Sequence, residues 1–510
     1  MYILGKHFPL IFYISLYLYF SCIFHEKAWL AFFTFILEVR YFVQLLKSRN
    51  PHNFPPGPWG LPFLGNISVG LDQHAIEKLS VKYGDIFSFR VATQKIVVVS
   101  GYKLVEEVLL TQGHNFLDRP VSPLFNEVYQ GNGICKSSGY RWRRQRQFFD
   151  SQLKKSGEAK RKQELIIQQE CVFLCEAIQK NKGCPFNPHP IINSAVANVI
   201  ASLVFGKRFD YEDTDFLNLL NLSAESSLLA GSPLVQVYGE FPSLMKRFQG
   251  PHTKIWANYA TMVGFLKKQI EMHKKDWDPF VHRDFSDVYI GEIDKRRRDT
   301  DAAFSVDNLA HCVLDLIEAG TGPMTSTLCW GLLLMAKHPE VQKGVQAEID
   351  CVIGQSRRPC LLDRASMPYT EAVLHEIQRV GNILPLGIPH SAGRDTTVCN
   401  YFIPKGTVVV TNLASVLNDK TQWERPQQFY PEHFLDDQGK FRNREAFLPY
   451  SAGKRACLGE NLARMEIFLF FTSVLQRFTI SAPQGVKLSM EAHGASLLSP
   501  KPFHICVSSR

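Results

Sequence analysis

The chain opens on two apolar runs set against a charged remainder. Phe8–Phe24 (FPLIFYISLYLYFSCIF) carries no charge over seventeen residues, and after the His25-Glu26-Lys27 break comes a second run, Ala28–Leu37 (AWLAFFTFIL). A membrane-spanning helix needs about 20 mostly apolar residues, with about 17 at the lower limit, so the first run can span. The second continues as EVRYFVQLLKSR and gains Glu38 and Arg40, which suits a short span or a helix lying in the interface. No small-x-small cleavage site follows either run, so the pattern reads as a retained anchor over residues 1–50. Arg40, Lys47 and Arg49 follow the runs, whereas only Lys6 precedes them. The positive-inside bias then puts the body in the cytosol whether one run or both span.

Asn53–Gly65 (NFPPGPWGLPFLG) holds four prolines and three glycines in thirteen residues. Proline removes a donor and fixes φ, so no helix continues here and residues 51–66 read as a stiff elbow. Beyond it, Ile86–Val99 (IFSFRVATQKIVVV) has the pattern of a hairpin pair. Long helical periodicity runs from Tyr140 to about His338 and again from Pro368 to Val380, and Thr407–Thr411 and Phe503–Val507 read as short strands. The expected body, residues 67–510, is mainly α with small β-sheets.

The 510 residues suggest two to four domains by length, yet no repeat, low-complexity linker or composition shift divides the body. Apolar residues make up 45% and charged residues 21%, which excludes a largely disordered, collagen-like or fully membrane-embedded chain. Twelve scattered cysteines form no disulfide framework. A net charge of +9 is too small to single out nucleic acid, so no nucleic-acid partner is expected. An anionic membrane surface or an acidic protein suits it equally.

The sharpest local signal is Tyr450–Gly459, YSAGKRACLG. Cys457 has Gly453 and Gly459 beside it, Arg455 two residues upstream and a helical pattern, Glu460–Leu475, directly after it. A thiolate metal ligand is favoured by positive charge and by the free N–H groups of a helix N-terminus. A lone cysteine is more often a buried small hydrophobe.

The segment resembles the haem-ligand signature of the cytochromes P-450, Phe-x-x-Gly-x-Arg-x-Cys-x-Gly, at nine of ten positions, with Tyr450 in place of Phe. The likeness extends over essentially the whole chain from Pro55, in the style of the vertebrate microsomal family 2: PPGPWGLPFLGN, AKHPEVQKGVQAEI, MPYTEAVLHEIQR and FLPYSAGKRACLGE. It implies one large haem-enclosing domain, haem b with Cys457 as the axial ligand of iron, and NADPH as electron source through a reductase. NADPH–cytochrome reductase would be the partner, with a cytochrome b-type donor as a second source. Membrane lipid and a lipophilic small-molecule substrate complete the set, at the endoplasmic reticulum membrane with the catalytic domain cytosolic.

The same resemblance assigns Arg119, Trp142, Arg146, His390 and Arg455 to the haem propionates, which guanidinium forks suit, and Glu376, Arg379 and His433 to a buried structural network. Glu376 and Arg379 are three apart and Trp142 and Arg146 four apart, so each pair shares a helix face. Arg141, Arg143 and Arg144 would form a basic strip facing an acidic electron donor. Asn66-Ile67-Ser68 and Asn221-Leu222-Ser223 match the glycosylation triplet, which a cytosolic body leaves unmodified.

One part of the pattern departs. The helix expected over Val306–His338, with Ser305 as N-cap, should cross the distal face of the haem. Where the family has Ala-Gly-x-(Asp/Glu)-Thr, an acid–alcohol pair for proton delivery, this chain has Ala319-Gly320-Thr321-Gly322-Pro323. Proline has no N–H for the carbonyl four residues back, so a kink is expected at Ala319. Glu318 and Thr321 are the substitute acid and alcohol. Three chemistries stay open: a monooxygenase, a hydroperoxide isomerase or dehydratase, and a haem-binding protein with little turnover.

Overall fold

The computed structural model describes residues 35–36, 38–39, 50–61, 65–66, 69, 73–91, 94–153, 157–296, 303–494 and 496–510. The first apolar run, and all of the second but residues 35 and 36, lie outside the described residues. No described helix is long and apolar enough to cross a membrane.

The helices around the interior are α1 (Pro123–Tyr129), α2 (Gly139–Leu153), α3 (Gly157–Gln179), α4 (His189–Phe205), α5 (Thr214–Ala230), α6 (Pro251–Lys275), α7 (Phe285–Lys295), α8 (Val306–Lys337), α9 (Pro339–Val352), α10 (Pro368–Gly381) and α11 (Glu460–Arg477). The strands are β1 (Ile86–Val91), β2 (Gln94–Ser100), β3 (His390–Ser391), β4 (Thr396–Val398), β5 (Tyr401–Ile403), β6 (Val408–Asn412), β7 (Phe478–Ser481), β8 (Ala492–His493), β9 (Ser499–Pro500) and β10 (Cys506–Ser509). β1 and β2 form the expected antiparallel hairpin, Ile86 opposite Val99. The strand expected at Thr407–Thr411 is β6, which lies parallel to β2 with Ile96 opposite Val408 and completes a sheet of order β1-β2-β6-β3. The strand expected at Phe503–Val507 begins later, at Cys506, because Ile505 exchanges backbone hydrogen bonds with Phe186.

The proline-rich elbow is docked on β1. Ser88 N–H donates to Pro56 O at 2.7 Å and the Ser88 hydroxyl to Pro55 O at 2.7 Å. The contact is close enough that a Cβ at Gly57 would stand 1.7 Å from Ser88 O. Asn66 is buried, with its side chain donating to Trp59 O and accepting from Arg90 N.

α8 is the axle of the body. Its N-cap is Ser305 as expected, the hydroxyl accepting from Asn308 N at 3.0 Å. Met324 to Met335 are all buried, which sets this half of the helix in one apolar core with α3, α4, α9, α10 and α11. The first half packs on α1, α2, α4, α6 and α7 in a second core. α8 runs continuously through Pro323. Ala319, whose carbonyl loses its donor, is exposed in mid-helix, so the missing bond does not strand a polar group in an apolar core. Packing on both halves holds the helix together through Pro323.

Asp315 ties the loop before α2 onto α8. Its Oδ2 accepts from Ile134 N at 2.6 Å and Cys135 N at 2.9 Å. Gly133 must be glycine here: its φ is +78°, and a Cβ would stand 2.5 Å from Asp315 Oδ2.

Candidate functional site

Cys457 sits in the turn between a short 3-10 stretch, Gly453–Arg455, and α11, whose N-cap is Gly459. Its N–H donates to Tyr450 O at 3.0 Å. Gly453 has φ +75° and runs so close to the neighbouring backbone that a Cβ would lie 2.1 Å from Leu109 O. Tyr450 satisfies its extra hydroxyl by accepting from Gln378 Nε2 of α10 at 2.6 Å, and Arg464 covers its ring.

The thiol does not have the environment expected for it. Burial raises the Cys457 pKa and Glu460 adds to this, while the Gly459 N–H and Arg146 pull it down. The helper cation is Arg146, not Arg455. Arg455 turns away to donate to Leu117 O, Ile134 O and Ser137 O, with its guanidinium 3.9 Å over the Trp142 ring. A metal that coordinates such a thiol deprotonates it directly.

Arg119, Arg455 and His390 are gathered in one region. Arg119 depresses the pKa of both Arg455 and His390 after burial does, and Arg455 acts on His390 too. Among the described residues neither guanidinium has a carboxylate partner in an ion pair: Arg119 donates to the carbonyls of Cys135, Ile388 and Pro389. His390 Nδ1 is held by Phe116 O at 2.7 Å, and burial lowers its pKa to about 3. Trp142 is buried with no described partner for its Nε1. Asp118 attracts Arg455, and the positive charge left over in the cluster fits a ligand carrying carboxylates. Arg146 stands apart, paired with Asp150 at 3.2 Å and donating to Ala456 O at 2.9 Å.

Across the interior, Ala319, Gly322 and Pro323 carry accessible surface on one face of α8 although Ile317, Thr321 and Met324 are buried. Accessible surface midway along a core helix marks the wall of an internal space. Leu497 closes it opposite Gly322, where a Cβ would be 3.1 Å from the Leu497 side chain. Thr321 is two positions from Ala319, about 200° around the helix, and its buried hydroxyl has no partner. It lies on the far side from this space. Glu318 does border it, and its carboxylate is held by Tyr129, Tyr259 and Ser223, from α1, α6 and α5.

A sequence model of the cytochrome P450 family matches residues 55–507. The chain belongs to the cytochrome P450 family. It is 45% identical to human cytochrome P450 2J2 over 464 residues, covering 90% of this chain and 92% of the relative. Rabbit (Oryctolagus cuniculus) cytochrome P450 2J1 is 45% identical over 92% of this chain and 94% of its own length, and rat (Rattus norvegicus) cytochrome P450 2D3 is 42% identical over 94% and 98%. This is a family 2 P450: an oxidoreductase and monooxygenase that uses haem with a cysteine thiolate ligand and electrons from NADPH through a reductase. The unbalanced cations and the accessible Cys457 suit that group.

In this P450 Glu376 lies at the centre of a set of buried hydrogen bonds. Arg379 donates to both carboxylate oxygens at 2.7 and 2.8 Å, and to Leu417 O, Pro426 O and Gln428 O. Tyr430 N donates to Glu376 as well. His433 Nε2 accepts from Arg425 N at 3.0 Å, which leaves Nδ1–H to donate to Glu376 at 3.2 Å. The basic strip on α2 is thinner than its sequence suggests. Only Arg143 is exposed, while Arg141 donates to Asn132 Oδ1 and Arg144 is half-buried.

Several site residues carried no sequence signal strong enough to find them. Tyr129 and Tyr259 are single tyrosines in helices of mixed composition. Gln145 is fully buried between α2 and α7, accepting from Tyr289 at 3.0 Å and donating to Ala303 O. Asp315 offered a weak clue: it lies one turn before Glu318, on a neighbouring part of the same face.

Proposed function

We propose that this chain inserts one oxygen atom from O2 into a small lipophilic substrate, a fatty acid, steroid or xenobiotic. Residues 1–50 anchor it in the endoplasmic reticulum membrane, residues 51–66 are the elbow, and 67–510 form the cytosolic catalytic domain. NADPH–cytochrome reductase supplies the electrons, with a cytochrome b-type protein as a second donor. Cys457 would hold the haem iron. Arg119, Trp142, His390 and Arg455 would hold the propionates, and Arg146 supports the turn that carries Cys457. Glu376, Arg379 and His433 hold α10 against the segment that leads into that turn. When bound, haem supplies the oxygen chemistry, for which thiolate ligation is suited.

The observation that carries this reading is Cys457, accessible within the fold near the guanidinia of Arg119 and Arg455, which make no ion pair with a described carboxylate. The apolar character of Ala319, Gly322, Pro323 and Leu497 suits a lipophile.

A second reading, hydroperoxide rearrangement or dehydration, is favoured by one feature. Gly322 and Pro323 offer no acid or alcohol, and Thr321 faces the other side of α8. Glu318 is turned by its three hydroxyl partners toward α1, α5 and α6, so proton delivery in the first reading falls to water in the space that Gly322 leaves.

Two measurements test this. Reduced protein with carbon monoxide should give the thiolate-type difference spectrum, and Cys457→Ser should lose it; a wild-type protein without it refutes the haem-thiolate site. Turnover of lipophilic probes is then compared between NADPH with reductase and a hydroperoxide. Product only from the hydroperoxide replaces the first reading by the second.

A further inference from the structure

His273, in the last turn of α6, meets two carboxylates of the segment that opens α7. Its Nε2 lies 3.0 Å from Asp284 Oδ2 and 2.9 Å from Asp287 Oδ1. The side chains of Asp284 and Asp287 are 2% and 0% exposed, and that of His273 is 12% exposed. The three atoms lie within 4.8 Å of one another.

One oxygen of this cluster lacks a donor. Asp284 Oδ1 caps α7 by accepting from Asp287 N at 3.1 Å, and Asp287 Oδ2 accepts from Arg283 N and Nε at 2.9 and 2.8 Å. Asp284 Oδ2 is buried with no hydrogen-bond donor among the described residues, although His273 stands so near. Gly206, at the end of α4, shuts this oxygen in from the other side: a Cβ there would be 3.0 Å from it.

An imidazolium would be the simplest counter-charge, but Arg283 opposes it. The Arg283 guanidinium places Nη2 3.4 Å from the same His273 Nε2, so a donor faces the nitrogen that would carry the proton. A neutral ring presents a lone pair there instead. Two carboxylates and one guanidinium then leave a negative charge in excess, with ring nitrogen and carboxylate oxygens converging.

The donor set selects the cation. Magnesium and calcium take six or more oxygens, whereas an imidazole with two carboxylates is a zinc set. Zinc bonds of about 2.0–2.2 Å in a tetrahedron put neighbouring donor atoms about 3.4 Å apart. The two short contacts of His273 therefore have to open by about half an ångström. Asp287 keeps Arg283 on Oδ2 while Oδ1 turns to the metal.

We propose that His273, Asp284 and Asp287 form a zinc site, completed by water, that clamps the end of α6 to the start of α7. None of its residues belongs to the Cys457 site.

The test uses the full-length holoenzyme, washed with EDTA and dialysed at pH 7.5 against Zn2+ alone. The parent should retain a zinc ion whose affinity falls at least about tenfold in His273→Ala and in Asp284→Asn, since even a partner behind a ligand is worth about 10–100-fold. Zn2+ should raise the melting temperature of the parent and not of the variants. Mg2+ at the same concentration should not. Asp284→Asn keeps the volume and the cap, so it reports on the site even if His273→Ala does not fold. A parent that binds zinc no more tightly than the variants overturns the site and leaves an imidazolium between the carboxylates. Equal stabilisation by Mg2+ overturns the assignment to zinc.

Discussion

Arg379 grips Glu376 through two parallel hydrogen bonds of 2.7 and 2.8 Å, with both side chains wholly out of contact with water. Removing one partner of such a pair leaves an unbalanced buried charge, which costs about 3–5 kcal/mol. Glu376→Ala should therefore fall short of a stable fold, read as loss of the cooperative melting transition and of haem retention. Arg379→Lys keeps the charge but cannot reproduce the fork or reach all three carbonyls, so it should behave nearly as badly. A Lys variant as stable as the parent would show that charge alone suffices.

Gly453→Ala places a methyl group where Leu109 O stands, at a φ of +75° that disfavours any Cβ. The backbone must move, and the turn carrying Cys457 moves with it. A loss of more than about 1 kcal/mol is expected, together with a larger share of carbon monoxide spectrum of the non-thiolate type. Gly459→Ala, with open space at its Cβ, is the control and should leave the spectrum unchanged.

Glu318 gives a pH signature. Burial and the neighbouring Asp315 push its pKa up from 4.5 to about 7, against the pull of Tyr259, Lys136 and Tyr129. Between those values the folded protein holds more protons than the unfolded chain, so stability falls as pH rises and the full penalty is present above about 7. Glu318→Gln removes it. The variant should be the more stable protein at pH 8 by at most about 3 kcal/mol, and the two should converge below about pH 4.5. Parallel melting temperatures across pH 4.5–8 would mean that this carboxyl is not raised.

Gly322→Glu with Pro323→Thr restores an acid and an alcohol beside the interior space. A side chain at 322 meets only the flexible end of Leu497, and residue 323 regains an N–H for the carbonyl of Ala319. NADPH-coupled oxidation of lipophilic probes should rise, along with the melting temperature, because a proline in a helix interior costs about 3 kcal/mol. Unchanged coupling would mean that protons arrive by a route independent of these two positions.

The parts of the site that could be read from sequence depend on short spacings. Cys457 and its glycines lie within a few residues of each other, and Glu376 and Arg379 are one turn apart. What escaped the sequence depends on long-range placement. Glu318 meets Tyr129 across 189 positions and Tyr259 across 59, and no local period announces such a meeting. Arg455 beside Cys457 suggested a charge aimed at sulfur; the fold sends it instead to the carbonyls of Leu117, before α1, and of Ile134 and Ser137, between α1 and α2. At Pro323 the helix continues, because both halves of α8 are held by neighbours.

The parallel pairing of β2 with β6 also has a consequence in time. Ile96 and Val408 face each other although 312 positions (408 − 96) separate them. Synthesis at about 5–20 residues per second takes roughly 15–60 s to cover that interval. Through all of it the Ile96–Ser100 strand is without one edge partner, and Cys457 has yet to be made. The nascent chain must be kept from mispairing over that wait before the pocket that captures haem can close.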